Sequence, residues 1–320
     1  MLHSAWALSV GTGIVLAARE RYHLVLWVVV FLALTWASTL FFGRLPSAER
    51  TDAPAGLAQE ITSYLTRVMY QETLFFLLPF YAYSTVADSP NVLFFVLLVG
   101  LALFSCIDLV FDRWLRTQPL FALSYFAVVA FSALNLVLPL LFGLRLHFAT
   151  PLAAVAAIAA AAPLAARTVS GKTGWAVTRL VIGAAAFVLI AAALPVLVPP
   201  VPLRLQSATF ASGIDAQSLV LSDTLRSPAA AAAVGPRMVV LVEVFAPSDL
   251  QAQVRLEWRR NGSTIRWSRP IDIVANDAGF RVWDAWSPPA GDVAPGDYEV
   301  VLRTRGSRVV GVARMAVRGG

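Results

Sequence analysis

The chain of 320 residues has few of the residues that form disulfides, hold metals or attack substrates. Cys106 is the only cysteine, so neither an intramolecular disulfide nor a cysteine-based zinc site can form. No histidine follows His147, so residues 201–320 cannot contain a Ser-His-Asp triad. We therefore predict no metal and no cofactor, and we leave open whether the protein is an enzyme, with a non-enzymatic role favoured.

Charged residues are also scarce, at 14% of the chain against about 25% in typical soluble domains. Residues 1–200 carry 11 basic and 8 acidic residues, and residues 201–320 carry 14 and 11, so each part is +3 and the total is +6. The two signs are interspersed, without a basic run. This pattern predicts no binding to nucleic acid.

Apolar residues make up 58% of the chain and are concentrated before residue 200. A transmembrane helix needs about 20 mostly apolar residues. Seven segments are candidates: Leu2–Ala18, Leu24–Phe42, Thr73–Ala87, Val92–Ile107, Leu120–Phe142, Ala149–Ala166 and Ala176–Val198. A cleaved signal peptide is the alternative for the first segment, but no basic residue precedes it. We predict a transmembrane domain of about seven α-helices over residues 1–200, with an amphipathic helix from Leu57 continuing into the third span.

Basic residues in the connecting loops predict how the chain is oriented, because they are enriched on the cytoplasmic side. If the N-terminus is inside, the inner loops hold eight basic residues: Arg44, Arg50, Arg67, Arg113, Arg116, Arg167, Lys172 and Arg179. The outer loops then hold four: Arg19, Arg21, Arg145 and Arg204. We therefore predict a multi-pass protein of the bacterial inner membrane with a cytoplasmic N-terminus and a periplasmic C-terminal domain, residues 201–320.

The C-terminal domain has the alternating pattern of β-strands. Strands are predicted at Leu205–Ala211, Met238–Phe245, Val254–Arg260, Thr264–Val274, Phe280–Trp286, Tyr298–Thr304 and Val309–Val317, with a flexible loop at Pro228–Gly235. Asn261-Gly262 predicts a tight hairpin turn. About seven short strands, each with one apolar face, predict an all-β sandwich of the immunoglobulin-like type.

Two stretches resemble known families. Gln71-Glu-Thr-Leu-Phe-Phe-Leu-Leu-Pro-Phe80, followed by Ile107-Asp108, resembles DUF5924, a domain of unknown function in proteobacterial membrane proteins. Leu256-Glu-Trp-Arg, Ile265-Arg-Trp-Ser and Gly279-Phe-Arg-Val-Trp-Asp are similar to DUF2914, although this chain has Phe280 where that family usually has tryptophan. The resemblance implies a membrane-anchored protein with an extracytoplasmic β domain, and it implies no known activity.

Acidic residues at both ends of a predicted helical hairpin form one candidate site. Glu72 opens the hairpin, and Asp108 and Asp112 close it on one helix face, so all three are expected at the same membrane edge. Such carboxylates can bind a divalent cation or relay protons. The alternative, which we favour, is a structural ion-pair cluster in which Arg113 and nearby arginines (Arg67 and Arg116) neutralise them.

Other polar or aromatic residues have less specific patterns. Trp258 and Trp267 have the parity of core residues, whereas Trp283 is expected to face outwards near Arg281, where it could stack on a sugar or a partner chain or pack half-buried. His23 and His147 are interpreted as interfacial histidines rather than metal ligands. Asn135 is interpreted as an interhelical hydrogen-bonding residue, and Gly11-Thr12-Gly13 as a helix-packing stretch.

Two functions of different classes remain open on the sequence. The first is a binding or scaffold role, in which the β domain recognises a protein, a glycan or another envelope component while membrane lipids surround the helices. The second is a transporter or a membrane-embedded enzyme for a lipid-linked substrate that uses Glu72, Asp108 and Asp112. A polar cavity that reaches these carboxylates would favour the second function, and its absence would favour the first.

Overall fold

The computed structural model describes residues 2–18, 54–169, 174–246, 250–273, 280–289 and 291–319. The chain forms two compact units. The first unit comprises residues 1–83, 93–144 and 148–195, and the second comprises residues 84–92, 145–147 and 196–320. The second unit therefore contains the β domain together with two short segments that connect helices of the first unit.

The first unit is helical. Its described helices are α1 (Leu2–Ala18), α2 (Pro54–Ser84), α3 (Val92–Ser105), α4 (Asp108–Thr117), α5 (Pro119–Phe142), α6 (Leu146–Val169, whose first two residues belong to the second unit) and α7 (Gly174–Ala193). Among the described residues, three stretches are long and apolar enough to cross a membrane: Pro119–Phe142, Leu146–Ala166 and Gly174–Ala193. The predicted span Leu24–Phe42 lies outside the described residues. A chain with membrane-spanning helices is thus supported, whereas the number seven stays a prediction.

Two of the predicted spans have different bounds in the structure. The third, Thr73–Ala87, is the second half of the 31-residue helix α2, which ends at Ser84. The fourth, Val92–Ile107, stops two residues early, because α3 ends at Ser105 and a separate amphipathic helix begins at Asp108. With 14 residues, α3 is about 21 Å long at 1.5 Å per residue, which is shorter than the ~30 Å hydrocarbon core.

Close packing and a polar network connect the helices of the first unit. A Cβ on Gly11 of α1 would lie 2.5 Å from the backbone oxygen of Phe76 in α2, so the close approach requires glycine. In α5, the buried Asn135 donates from Nδ2 to Tyr81 Oη at 3.2 Å and accepts from Thr150 Oγ1 at 2.9 Å. Since these partners lie on α2 and α6, the predicted interhelical hydrogen bonding of Asn135 is confirmed.

The second unit contains the strands β1 (Arg204–Ile214), β2 (Leu221–Leu225), β3 (Ala229–Ala230), β4 (Met238–Phe245), β5 (Ala252–Arg260), β6 (Ser263–Trp267), β7 (Ile271–Ile273), β8 (Phe280–Trp286), β9 (Gly296–Thr304) and β10 (Val309–Arg318). One sheet has the order β2-β1-β4-β8. The other has the order β3-β10-β9-β5-β6, with β7 also paired to β5. Only the β3–β10 pair is parallel among the described ladders.

The two sheets share one hydrophobic core. Val240 and Val242 of the first sheet and Leu256 and Trp258 of the second are buried in the same cluster. In β4, β5 and β9 every second residue belongs to this cluster, because successive side chains point to opposite faces. The prediction that Trp258 is a core residue is confirmed, and its indole nitrogen donates to Asp284 Oδ2 at 2.9 Å. The C-terminal part is therefore rich in β-sheet, as predicted, while its immunoglobulin-like type stays a prediction.

Local features of the β domain confirm one prediction and correct three. Asn261 and Gly262 join β5 to β6 with φ of 50° and 81°, as a tight hairpin requires. The predicted strand Thr264–Val274 is divided into β6 and β7. The predicted core position of Trp267 is wrong: its side chain is 47% exposed, because β6 is an edge strand with all five residues exposed. The segment Pro228–Gly235 was predicted as a flexible loop, but it forms β3 and the single-turn helix α8 (Ala231–Val234).

Candidate functional site

The predicted acidic site lies near the break between α3 and α4. The buried amide of Gln71 in α2 donates to the backbone oxygen of Ser105, the last residue of α3. Gln71, at the start of the predicted hairpin, therefore contacts a residue that lies three positions before Asp108 in the sequence. Glu72 and Asp112 are half-buried and Arg113 is exposed. The side chains of Asp108, Arg67 and Arg116 lie outside the described part of the structure, so the ion-pair alternative stays a prediction.

Metal binding at Glu72, Asp108 and Asp112 stays a hypothesis, because the side chain of Asp108 lies outside the described part of the structure. Among the described residues, no group of three or more histidine, cysteine, aspartate or glutamate side chains is placed to hold a metal ion. Aromatic rings fill the junction instead. The ring centroids of Phe104 and Phe111 are 5.9 Å apart, and those of Phe111 and Tyr125 are 5.0 Å apart. Trp114 and Phe121 complete this packing, with centroids 5.3 Å apart.

The predicted pair Trp283 and Arg281 lies on β8, in the four-stranded sheet. Arg281 Nε donates to Glu243 Oε1 at 2.8 Å, and the other oxygen of Glu243 accepts from Ser207 Oγ at 2.7 Å. Trp283 is half-buried and lies opposite Leu241 in the register with β4. The arrangement corresponds to the half-buried alternative for Trp283, and the charge of Arg281 is matched within the sheet.

A groove of about 410 Å³ lies between the open edges of the two sheets. Because β2 pairs only with residues 210–214 of β1, residues 205–209 leave one side of that strand unpaired within the described ladders. On the other wall, β3 pairs only with Val317 and Arg318 of β10. We call this cavity the edge groove; its lining is Leu205, Gln206, Ser207, Ala208, Thr209, Phe210, Leu225, Ser227, Val312, Ala313, Arg314 and Met315.

A smaller cavity of about 190 Å³ has a basic lining. It lies where the segment 145–147 meets the start of β5, the strand β7 and the turn that follows β9. We call it the basic cavity; its lining is Arg145, His147, Gln251, Ala252, Gln253, Asp272, Ile273 and Arg305. Arg145 and Arg305 are exposed, and the amide of Gln253 donates to Asp272 Oδ1 at 3.1 Å. His147, predicted as an interfacial histidine, thus lies in a cavity, while His23 lies outside the described residues.

The segment 145–147 is held by the β domain through its central residue. Leu146 is 2% exposed and belongs to the hydrophobic core of the two sheets. Its N–H donates to Gln251 O at 3.1 Å, and its carbonyl accepts from Nη2 of the buried Arg308 at 2.6 Å. Burial together with paired backbone groups makes this segment a fixed part of the second unit.

The segment 84–92 is held in a comparable way. The buried Asn91 donates from Nδ2 to Val309 O at 3.2 Å and accepts from the N–H of Val86 at 3.1 Å. Asp88 accepts from Arg314 Nη2 at 2.6 Å. Hydrogen bonds from Arg314 to Glu299 and to Asp88 raise the pKa of that guanidinium, so it stays charged.

A second charged network lies on the six-stranded sheet. Glu257 is 3% exposed and accepts from Arg259, Arg303 and Thr264 at 2.6–3.0 Å. Burial alone would raise the pKa of this carboxyl, but the hydrogen bonds outweigh burial and hold the pKa below its usual range. The network is saturated internally, so it stabilises the sheet rather than offering a binding site.

Sequence reasoning missed both cavities. Arg145 and His147 lie at the short junction between two apolar runs, where Arg145 precedes α6 and His147 is its second residue, and Arg305 and Arg308 lie in a short loop between two strands. Basic pairs in short connections are the signal that the sequence contained. Their convergence could not be predicted, because it depends on how segments more than 150 residues apart in sequence are folded together.

Comparisons with known proteins identify a family for this chain. No curated protein matches the chain, and no solved structure matches it. The model of a family of unknown function, DUF5924, matches residues 4–233. That match ends before most of the β domain, so the resemblance of the tail to DUF2914 stays a prediction. Since the match covers more than half of the chain, this protein belongs to the DUF5924 family.

Proposed function

We propose that this protein is a non-enzymatic binding protein of the bacterial inner membrane, in which a periplasmic β domain of immunoglobulin-like type recognises a component of the cell envelope. The observation that carries the proposal is the location of the cavities. The edge groove and the basic cavity are both lined wholly by residues of the second unit, and neither lining includes Glu72, Asp108 or Asp112. A concave surface on which a few polar groups converge is the usual form of a binding site.

The segments that make up the second unit support the proposed orientation. The segments 84–92 and 145–147 belong to one unit with residues 196–320, so all three must lie on the same side of a membrane. In the orientation with a cytoplasmic N-terminus, each of the three follows an odd-numbered predicted span and lies outside. The excess of basic residues in the alternate loops favours the same orientation.

The edge groove is the first place to test for a partner. An unpaired strand edge offers backbone N–H and C=O groups to an extended segment of another chain. The position of Gln206 suits a probe, because this residue is exposed and lines the groove. Gln217 is a matched control, because it is also an exposed glutamine but lies outside both linings.

The experiment replaces Gln206 with a photo-cross-linking amino acid in the full-length protein in intact cells. We expect a cross-linked adduct from position 206 and none from position 217. The adduct should persist when Glu72→Gln and Asp108→Asn are introduced, because the acidic residues have no part in the proposed role. If no adduct forms at position 206, or if it disappears with the acidic substitutions, the proposed binding role is wrong.

A further inference from the structure

We propose that the basic cavity binds a phosphate group, and that this phosphate belongs to the headgroup of an anionic phospholipid. The inference rests on the proposed binding role of the second unit and names a ligand class for it. The ligand would thus be part of the membrane itself rather than a soluble partner.

The lining of the basic cavity offers donors suited to a tetrahedral oxyanion. Arg145 and Arg305 each carry five N–H donors in a planar fork, which matches the geometry of phosphate oxygens. Gln251 and Gln253 add carboxamide groups to the same wall. Asp272 is the one carboxylate in the lining, and the amide of Gln253 already donates to it at 3.1 Å.

The electrostatic balance of the cavity is positive. The guanidinium groups of Arg145, Arg305 and Arg308 all lie within electrostatic range of the His147 ring. Among the described residues, the lining carries the two positive charges of Arg145 and Arg305 against the one negative charge of Asp272, and Arg308 lies close by. An anion that enters would offset the mutual repulsion of these arginines, which gives binding a favourable term that a neutral ligand lacks.

Both arginines are positioned by backbone contacts to the same short stretch of chain. Arg145 precedes Leu146, whose N–H donates to Gln251 O at 3.1 Å. The N–H of Arg305 donates to Gln253 O at 2.9 Å. The backbone at both arginines is therefore anchored to Gln251 and Gln253, which lie two residues apart at the start of β5. Such preorganisation lowers the entropic cost of binding.

The size and the position of the cavity point to a lipid headgroup. Its volume of about 190 Å³ is below the ~300 Å³ at which pockets for drug-sized molecules begin, so it suits a small anionic group. Arg145 and His147 flank Leu146, the first residue of a candidate membrane span that continues to Ala166. Residues at the end of a span lie at the level of the lipid headgroups.

The test measures binding of a fluorescent short-chain phosphatidylglycerol to the full-length protein in uncharged detergent micelles, with phosphatidylcholine as the comparison. We expect wild-type protein to prefer phosphatidylglycerol. The double substitution Arg145→Gln and Arg305→Gln should weaken that binding about tenfold or more, because it removes two charge-assisted contacts. The matched control Arg255→Gln and Arg269→Gln removes two exposed arginines outside the lining and should leave the affinity unchanged.

A substitution that is expected to strengthen lipid binding keeps the test valid if the double variant fails to fold. Asp272→Asn removes the negative charge of the lining while leaving an oxygen to accept from Gln253. We expect it to tighten phosphatidylglycerol binding several-fold, an effect that misfolding cannot imitate. Equal binding of both lipids, with every variant unchanged, would overturn the proposal.

Inorganic phosphate distinguishes the two sources of the anion. If millimolar phosphate binds the wild type and phosphatidylglycerol does not compete with it, the lipid source is wrong. If phosphatidylglycerol binds far more tightly than phosphate, the lipid source is supported. The cross-linking test at Gln206 uses a different cavity, so an adduct there with no lipid selectivity would overturn this inference alone.

Discussion

Glu257 is a buried carboxylate whose hydrogen-bonding capacity is used by two arginines and a threonine. Its folded-state pKa is lowered from the ordinary value of 4.5, so its ionised form is the one that folding favours. The stabilisation is fully present above the unfolded-state pKa and is lost as the pH falls towards the folded-state pKa.

We predict that Glu257→Gln lowers the free energy of unfolding by about 1–3 kcal/mol at pH 7, because buried charged donors lose their acceptor. The difference from wild type should shrink below about pH 4.5, where the unfolded carboxyl is protonated. Thermal unfolding of the full-length protein in detergent, followed by tryptophan fluorescence across pH, measures both effects. Glu243→Gln is the control: its pair with Arg281 is partly exposed and is worth at most about 1 kcal/mol.

Gly311 is a residue at which the two sheets leave no room for a side chain. A Cβ there would lie 2.6 Å from Leu205 Cδ2 and closer still to Leu205 Cβ. The strand register is irregular at both contact points, between Val309 and Gly311 on β10 and between Leu205 and Ser207 on β1.

We predict that Gly311→Ala lowers the free energy of unfolding by about 1–3 kcal/mol, since the added methyl group overpacks the junction. Gly213→Ala is the control, because a Cβ there meets Ser222 Cβ at an ordinary 3.5 Å. Leu205→Ala in the Gly311→Ala background should recover part of the loss. Equal unfolding temperatures for the two glycine variants would contradict the overpacking argument.

At the scale of elements, the break between α3 and α4 separates the second arm of the predicted hairpin from the helix that carries Asp108 and Asp112. A helix leaves its last four carbonyls without intrahelical partners, and in a bilayer such groups need a protein donor. Gln71 supplies one for Ser105, and Tyr125 Oη lies 3.4 Å from the oxygen of Leu101, the residue just before these four. The break therefore depends on side chains of α2 and α5.

We predict that Gln71→Leu destabilises the helical unit by about 1–3 kcal/mol, because it leaves the buried Ser105 carbonyl without this donor. Gln118→Leu, which changes an exposed glutamine at the end of α4, should cost less than about 0.5 kcal/mol. Unfolding of the full-length protein in mixed micelles with increasing dodecyl sulfate compares the two variants. A cost for Gln71→Leu no larger than that for Gln118→Leu would show that the amide contact is dispensable.

At the scale of the whole molecule, segments 84–92 and 145–147 belong to one compact unit with the β domain, which is the basis of the proposed orientation. We predict that alkaline phosphatase fused after Gly320 is active in the periplasm, whereas phosphatase fused after Lys172 is inactive. The reason is that the two positions are separated by one candidate span, Gly174–Ala193. The reverse pattern of activity would invert the proposed orientation, and equal activity of both fusions would contradict α7 as a span.

Much of the secondary structure followed from periodicity. The strands at Met238–Phe245 and Phe280–Trp286 and the long helices after residue 119 have bounds close to the predictions. The helix break at Cys106 did not follow, because Val92–Ile107 is apolar throughout and no proline or glycine marks its end. Trp267 was placed wrongly because strand parity shows which face a residue takes, not whether its strand lies at the edge of a sheet.

By itself, the sequence determined that an apolar helical part is followed by a β domain, that Asn261-Gly262 turns a hairpin and that Asn135 hydrogen-bonds between helices. These follow from local chemistry: the length of apolar runs, the side-chain period and the demands of positive φ. Only the tertiary structure decided that Leu146 is a core residue of the β domain and that Arg145, His147 and Arg305 line one cavity. These contacts join segments about 160 residues apart, and a hydrophobic pattern gives the face of an element without its partner.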